Sequence, residues 1–150
     1  MRLPLTGGCQ CGQVRYEIQQ RPGTVLTCHC KDCQRMTSSA FSIGFTIKYA
    51  PFELIGPEPC AIQRVADSGN TLTRWLCPAC GSWLCSGSRP NPSVPDQLRT
   101  VRAGSLDDTS WIEPKFHFWT RSKQPWISLP AGARCFETQP TNLYEFLLTA

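Results

Sequence analysis

Seven cysteines in three blocks constrain this chain more than any other feature: Cys9-Gln10-Cys11, then Cys28-His29-Cys30-Lys31-Asp32-Cys33, then Cys77-Pro78-Ala79-Cys80. A C-x-x-C pair brings two sulfurs to one ion across a tight turn, and Gly81 after Cys80 supplies the permissive backbone such a knuckle needs. A C-x-C pair converges only where the chain bends, and Gly7, Gly8 and Gly12 flank the first pair. Structural zinc is normally closed by four protein ligands, whereas catalytic zinc keeps three and leaves one position open. The seven ligands divide as four and three. Joining the pairs gives a closed Cys9, Cys11, Cys77, Cys80 site and leaves Cys28, Cys30 and Cys33 as the open one. Spacing alone equally allows the first pair to join members of the triplet.

The remaining thiols, Cys60, Cys85 and Cys135, stand alone and read as small core or partly exposed side chains. Ten cysteines would suggest disulfides in an exported chain. The opening Met1-Arg2-Leu3-Pro4-Leu5-Thr6-Gly7-Gly8 has no signal-like apolar run, and no later segment approaches bilayer-spanning length. The expected setting is therefore cytoplasmic and reducing, where thiols at ligand spacing hold metal. The formal charge of +4 counts those thiols as neutral. Two Zn²⁺ ions bring four positive charges and seven thiolates seven negative ones, which leaves roughly +1. Lys and Arg are scattered, so neither a nucleic-acid footprint nor a membrane partner is expected.

At 150 residues the chain has the size of one domain, expected over residues 1–150. Its thirteen prolines and eleven glycines are spread as punctuation between short elements. Gln13–Ile18, Phe41–Ile47, Ala61–Val65 and Thr71–Leu76 are rich in β-branched and aromatic residues and read as strands. The turn cluster Asp67-Ser68-Gly69-Asn70 suits antiparallel connections. Helix is scarce, with turns expected over Lys31–Met36 and Leu143–Leu148, and Ser86–Pro95 reads as an exposed loop. The fold class is thus mainly β, in short antiparallel sheets.

Three segments carry a resemblance: Gly8-Cys9-Gln10-Cys11-Gly12-Gln13-Val14-Arg15-Tyr16-Glu17, Cys28-His29-Cys30-Lys31-Asp32-Cys33-Gln34-Arg35 and Cys77-Pro78-Ala79-Cys80-Gly81-Ser82-Trp83-Leu84. They resemble the three blocks of the glutathione-dependent formaldehyde-activating enzymes, a family that also includes centromere protein V. Gly104–Asp108 and His117–Trp126 are similar to its later segments. The resemblance implies a β-tent-type zinc-binding fold. It implies a structural zinc on Cys9, Cys11, Cys77 and Cys80, and a second zinc, tied to activity, on Cys28, Cys30 and Cys33. The implied reaction is condensation of glutathione, as cosubstrate, with formaldehyde to S-hydroxymethylglutathione, which makes the reverse reaction that of a carbon–sulfur lyase.

Three thiolates give Zn²⁺ a soft, weakly Lewis-acidic site suited to a fourth sulfur. A thiol bound there would lose its proton and be held beside an aldehyde carbon. Water in the same position would make a hydrolase, and a module that only binds a thiol metabolite or a protein is the alternative without turnover. The triplet could also be closed by His29, Cys60, Cys85 or Cys135, although His29, between two ligands, is expected to point away. Arg35, Arg64, Arg74, Arg121 and Lys123 are candidates to hold the carboxylates of an anionic thiol. His117 reads as a packed strand histidine, Asp107 and Asp108 as turn residues, and Trp83, Trp119 and Trp126 as core or pocket wall. No general base is assigned.

Overall fold

The computed structural model describes residues 1–48, 52–66, 69, 71–88 and 97–140. In chain order the strands are β1 (Leu5–Gly8), β2 (Arg15–Ile18), β3 (Val25–Cys28), β4 (Ser42–Lys48), β5 (Phe52–Ile55) and β6 (Cys60–Val65). They continue with β7 (Thr71–Leu76), β8 (Trp83–Gly87), β9 (Leu98–Arg102), β10 (Phe116–Phe118) and β11 (Arg134–Phe136). One α-helix, α1 (Lys31–Thr37), lies among the described residues. The expected mainly β class holds, and each of the four expected strands is present within a residue or two of its bounds. The expected helix at Leu143–Leu148 lies outside the described residues.

The chain groups into two compact units. The first, Met1–Arg21 with Thr46–Trp111, holds two antiparallel runs: β1-β2-β5 and β6-β7-β8-β9. Alternation along β2 explains its packing, because Tyr16 and Ile18 are buried while Arg15 and Glu17 are not. Val14, Tyr16, Ile18, Leu84 and Val101 form the best-buried apolar set here. The Tyr16 hydroxyl meets Ser105 Oγ at 2.8 Å, and burial pushes the phenol well above its ordinary range.

The second unit, Pro22–Phe45 with Ile112–Ala150, carries the order β11-β10-β3-β4. Here the expectation of antiparallel pairing fails in part: β10 runs parallel to both β3 and β11, and only β3 and β4 are antiparallel. Parallel neighbours require a long connection between them, and β3 and β10 are joined through everything from α1 to β9. The loop expected from Ser86 is also corrected at its start. Ser86 and Gly87 belong to β8, and Ser86 is buried opposite Arg74 of β7. Residues 89–95 of that loop lie outside the described ones.

Candidate metal centres

The first cysteine group lies within the first unit. Cys9 follows directly on β1, and Cys77 on β7, so two strand ends deliver two buried sulfurs. The turns that follow return Cys11 and Cys80, both exposed. Gly12 N–H donates to the Cys9 carbonyl at 3.1 Å, and Gly81 N–H to that of Cys77 at 2.9 Å. Both glycines take positive φ, +79° and +72°, which a side chain would oppose.

The four sulfurs lie within 4.8 Å of one another. Cys9 and Cys11 Sγ are 3.4 Å apart and Cys11 and Cys77 Sγ 3.7 Å, too far for disulfides. Four sulfurs at about 2.3 Å from a tetrahedral zinc stand roughly 3.8 Å apart, so the donor set fits that ion. The surroundings also favour thiolates. Val14 N–H donates to Cys9 Sγ at 3.2 Å, and Ser82 Oγ lies 3.2 Å from Cys80 Sγ. The Ser82 hydroxyl, then the Ser82 and Cys11 backbone N–H groups, bring the Cys80 thiol down to about 5. Burial raises Cys9, but the Val14 N–H and the Cys11 and Cys77 thiols outweigh it and lower the group. Cys11 gains from the Gln13 N–H, yet the crowd of sulfurs pushes it up to about 12. The set shares protons between its members, and a dication would release the rest.

The second group is local and lies within the second unit. Cys28 ends β3, Cys30 is the N-cap of α1, and Cys33 sits in the helix's first turn. Cys30 Sγ accepts from Cys33 N–H at 3.3 Å, the role an N-cap oxygen usually fills. The three sulfurs lie within 4.8 Å of one another, and none of His29, Cys60, Cys85 or Cys135 joins them. Cys85 is fully buried, whereas Cys60 and Cys135 are exposed. Contacts with the Cys30 and Cys33 sulfurs, followed by burial, push the Cys28 thiol far up; Cys30 is raised as well, the help it takes from Cys28 being outweighed by Cys33 and burial. Three thiolates cannot share so small a space without a cation.

The peptide between the first two of these cysteines is held at both ends. His29 N–H donates to the Phe118 carbonyl at 2.9 Å. The His29 carbonyl accepts from Gln34 Nε2 at 2.7 Å and from Ser122 Oγ at 2.9 Å. Gln34 Nε2 also donates to the Ser122 carbonyl at 2.9 Å. The imidazole is 1% exposed, with Nε2 3.3 Å from both Thr27 Oγ1 and His117 Nδ1. Thr27 Oγ1 lies 2.7 Å from His117 Nδ1, because β3 and β10 pair Thr27 with His117. Burial brings His29 down to about 4 and lowers His117, so both rings are neutral near pH 7. His117 is the packed strand histidine expected. Gln34, Ser122 and Thr27 drew no role from the sequence, although the first two fall inside the quoted segments.

The five candidate cations separate. Lys123 Nζ donates to the Ile127 carbonyl at 2.7 Å, and Arg121 lies over the Trp119 ring at 5.1 Å. Arg64 is exposed on β6. Arg35 lines an open recess of about 620 Å³ with Lys31, Gln34, Ser38, Phe41 and Trp126, none of the three cysteines being part of its wall. Arg74 is buried in the first unit. Asp107 is more than a turn residue: it pairs with Arg15 and accepts from Thr6 Oγ1 at 2.6 Å, whereas Asp108 accepts from Ser110 N–H as a turn residue does.

Among the described residues no helix is long and apolar enough to cross a membrane. No curated protein matches the chain. A crystal structure of a Rhodobacter sphaeroides protein, a structural-genomics target, is similar in fold, with a TM-score of 0.51 and 21% identity over 68% of this chain and 87% of that one. The model of one family, the glutathione-dependent formaldehyde-activating enzymes, matches residues 4–122, a span that contains all seven clustered cysteines and both Gln34 and Ser122, and the chain belongs to that family.

Proposed function

We propose that this chain is a zinc-dependent carbon–sulfur lyase or synthase, acting on the adduct of a thiol and an aldehyde. Family membership supports a role related to glutathione and formaldehyde, which makes these the first pair to test. The observation that carries the reading is the contrast in ligand number: four cysteines converge in one group and three in the other.

Cys9, Cys11, Cys77 and Cys80 would hold a structural zinc and Cys28, Cys30 and Cys33 a second one. Held by those three thiolates, such an ion would offer a fourth position and favour the thiolate form of an incoming thiol. Clamping of the His29 peptide fixes the spacing of Cys28 and Cys30, and the N-cap bond fixes Cys30 against Cys33. The two histidines, buried and neutral, leave the thiolate set uncompensated by any imidazolium. In the forward reaction the thiol gives up its proton, its sulfur forms the bond to the carbonyl carbon as the carbon–oxygen π pair moves onto oxygen, and that oxygen takes up a proton. In the reverse reaction the carbon–sulfur bond breaks, releasing aldehyde and thiol. The protein is proposed to act in the cytoplasm as one functional domain, without a nucleic-acid or membrane partner.

Zinc content, together with zinc-edge X-ray absorption, tests this. Two zincs per chain are expected, with a mean sulfur coordination that rises when glutathione is added. One zinc per chain, or four protein ligands on both ions, would sink the open-site mechanism.

A further inference from the structure

Arg74 is 8% exposed, and its Nε is buried with no hydrogen-bond partner. A guanidinium remains charged at any pH the fold survives, and taking it out of water is costly unless it is paired. Its described neighbour is the Trp83 ring, 5.3 Å from the guanidinium carbon, and a ring face offsets only part of that cost. Arg102 shares the same ring, at 4.1 Å. Two cations on one indole repel each other, and the register that brings them together is specific.

Arg74 of β7 stands opposite Ser86 of β8, and Ser86 opposite Thr100 of β9. Arg102, two residues beyond Thr100, therefore lies on the same face and donates from Nη2 to Ser86 Oγ at 3.4 Å. Regular alternation would put Trp83 on the other face, with Cys85. An irregularity in the β7–β8 pairing sets Leu76 opposite Trp83 while Trp75 faces Cys85, which turns the indole to the arginine face. Trp83 Nε1 donates to the Cys85 carbonyl at 3.0 Å, so the ring is held in place. The result is a preformed wall with two guanidiniums and a hydroxyl beside it.

We infer that Arg74, Arg102, Ser86 and Trp83 form a binding site for a small oxyanion, a carboxylate or phosphate group. Planar guanidinium forks match either group. All four residues belong to the first unit, and the inference uses none of the triplet's residues. Arg74 supplies a guanidinium whose Nε has no hydrogen-bond partner, Arg102 the second charge, Ser86 a hydroxyl and Trp83 the surface against which the ligand rests.

The test titrates the protein as purified with sodium phosphate and, separately, sodium succinate, each at constant ionic strength against sodium chloride. NMR follows the Arg74 Nε–H and the Trp83 Nε1–H. Saturable shifts absent with chloride are expected for at least one anion. Saturation by phosphate alone identifies a phosphate group, and by succinate alone a carboxylate. Arg74→Gln should weaken that binding by about tenfold or more. Shifts no different from chloride, or equal affinity in Arg74→Gln, overturn the site. Should Arg74→Gln fail to fold, Arg102→Gln decides: weaker binding supports the site and unchanged binding overturns it.

Discussion

The cysteine quartet is assembled across the first unit, from two turns that close separate strands, whereas the triplet occupies six consecutive residues at one strand end and one helix start. The quartet needs the tertiary structure in order to exist. The triplet needs little more than β3, α1 and a clamp on one peptide. A site that joins distant parts of a chain adds its binding free energy to folding, and a local site with a missing ligand is free to exchange one. The proposed division between a structural and a reactive metal then rests on topology as much as on ligand number.

The largest effect should come from breaking the quartet. Cys77→Ser removes a buried sulfur of the proposed structural site, the one that joins β7 to the turn after β1. Structural zinc contributes about 10 kcal/mol or more in small zinc modules, of the order of the whole stability of a domain this size. The variant should lose one zinc and its cooperative thermal transition, as followed by circular dichroism and metal analysis. A folded Cys77→Ser protein with two zincs would end the distinction.

Cys30→Ser should instead lose one zinc and keep the fold. Serine is a good N-cap, so the substitution removes a soft ligand while retaining an acceptor for the Cys33 N–H. The proposed lyase activity should fall at least about a hundredfold, while the melting temperature moves by roughly 4 °C or less. Global unfolding would place this metal among the structural ones too.

A smaller change sharpens the local half of the comparison. Gln34→Leu removes the donor that reaches the His29 and Ser122 carbonyls at 2.7 and 2.9 Å. Ser122 Oγ still holds the His29 carbonyl, so the loop loosens without being released. The affinity of the second zinc, measured by chelator competition, should drop about tenfold, at the low end for groups that orient metal ligands. The first zinc should be unaffected. Equal weakening of both would mean that Gln34 acts through general stability.

The two cysteine groups and four of the described strands, β2, β4, β6 and β7, were legible from the chain, because cysteine spacing and period-two burial are local signals. Arg15–Ile18 and Thr71–Leu76 carry their own pattern. The clamp on His29 carries none: a backbone carbonyl has no identity in sequence, and one of its donors, Ser122, arrives from the far side of β10. The parallel pairing of Thr27 with His117 was hidden for the same reason. Ser86 misled because serine, glycine and proline nearby compose like a loop, while its neighbours across β7 and β9 make it a buried strand residue. Arg74 was named as a candidate cation, but only packing shows its Nε to be buried without a hydrogen-bond partner.

The smallest effect expected belongs to the frame behind Cys9. Gly8 pairs with Arg15 across β1 and β2, and Arg15 reaches Asp107, whose N–H donates to the Thr6 carbonyl at 3.0 Å. The Arg15 and Thr6 contacts hold the Asp107 carboxyl below its ordinary value of 3.8, and Arg15 is raised in return. A carboxyl depressed in the folded state stabilises fully above the unfolded value and loses that stabilisation as pH falls through the folded one. The contribution should therefore be constant from neutral pH down to about 5 and fade below about 4. Both side chains are largely exposed, 40% and 46%, so solvent screening keeps the pair below about 1 kcal/mol. Asp107→Asn should lower denaturant-measured stability by that amount at pH 7, and the gap to wild type should narrow below pH 4. A gap that persists at pH 3 would assign the effect to the Thr6 hydrogen bonds rather than to charge, and a gap of several kcal/mol would tie this frame to the integrity of the quartet.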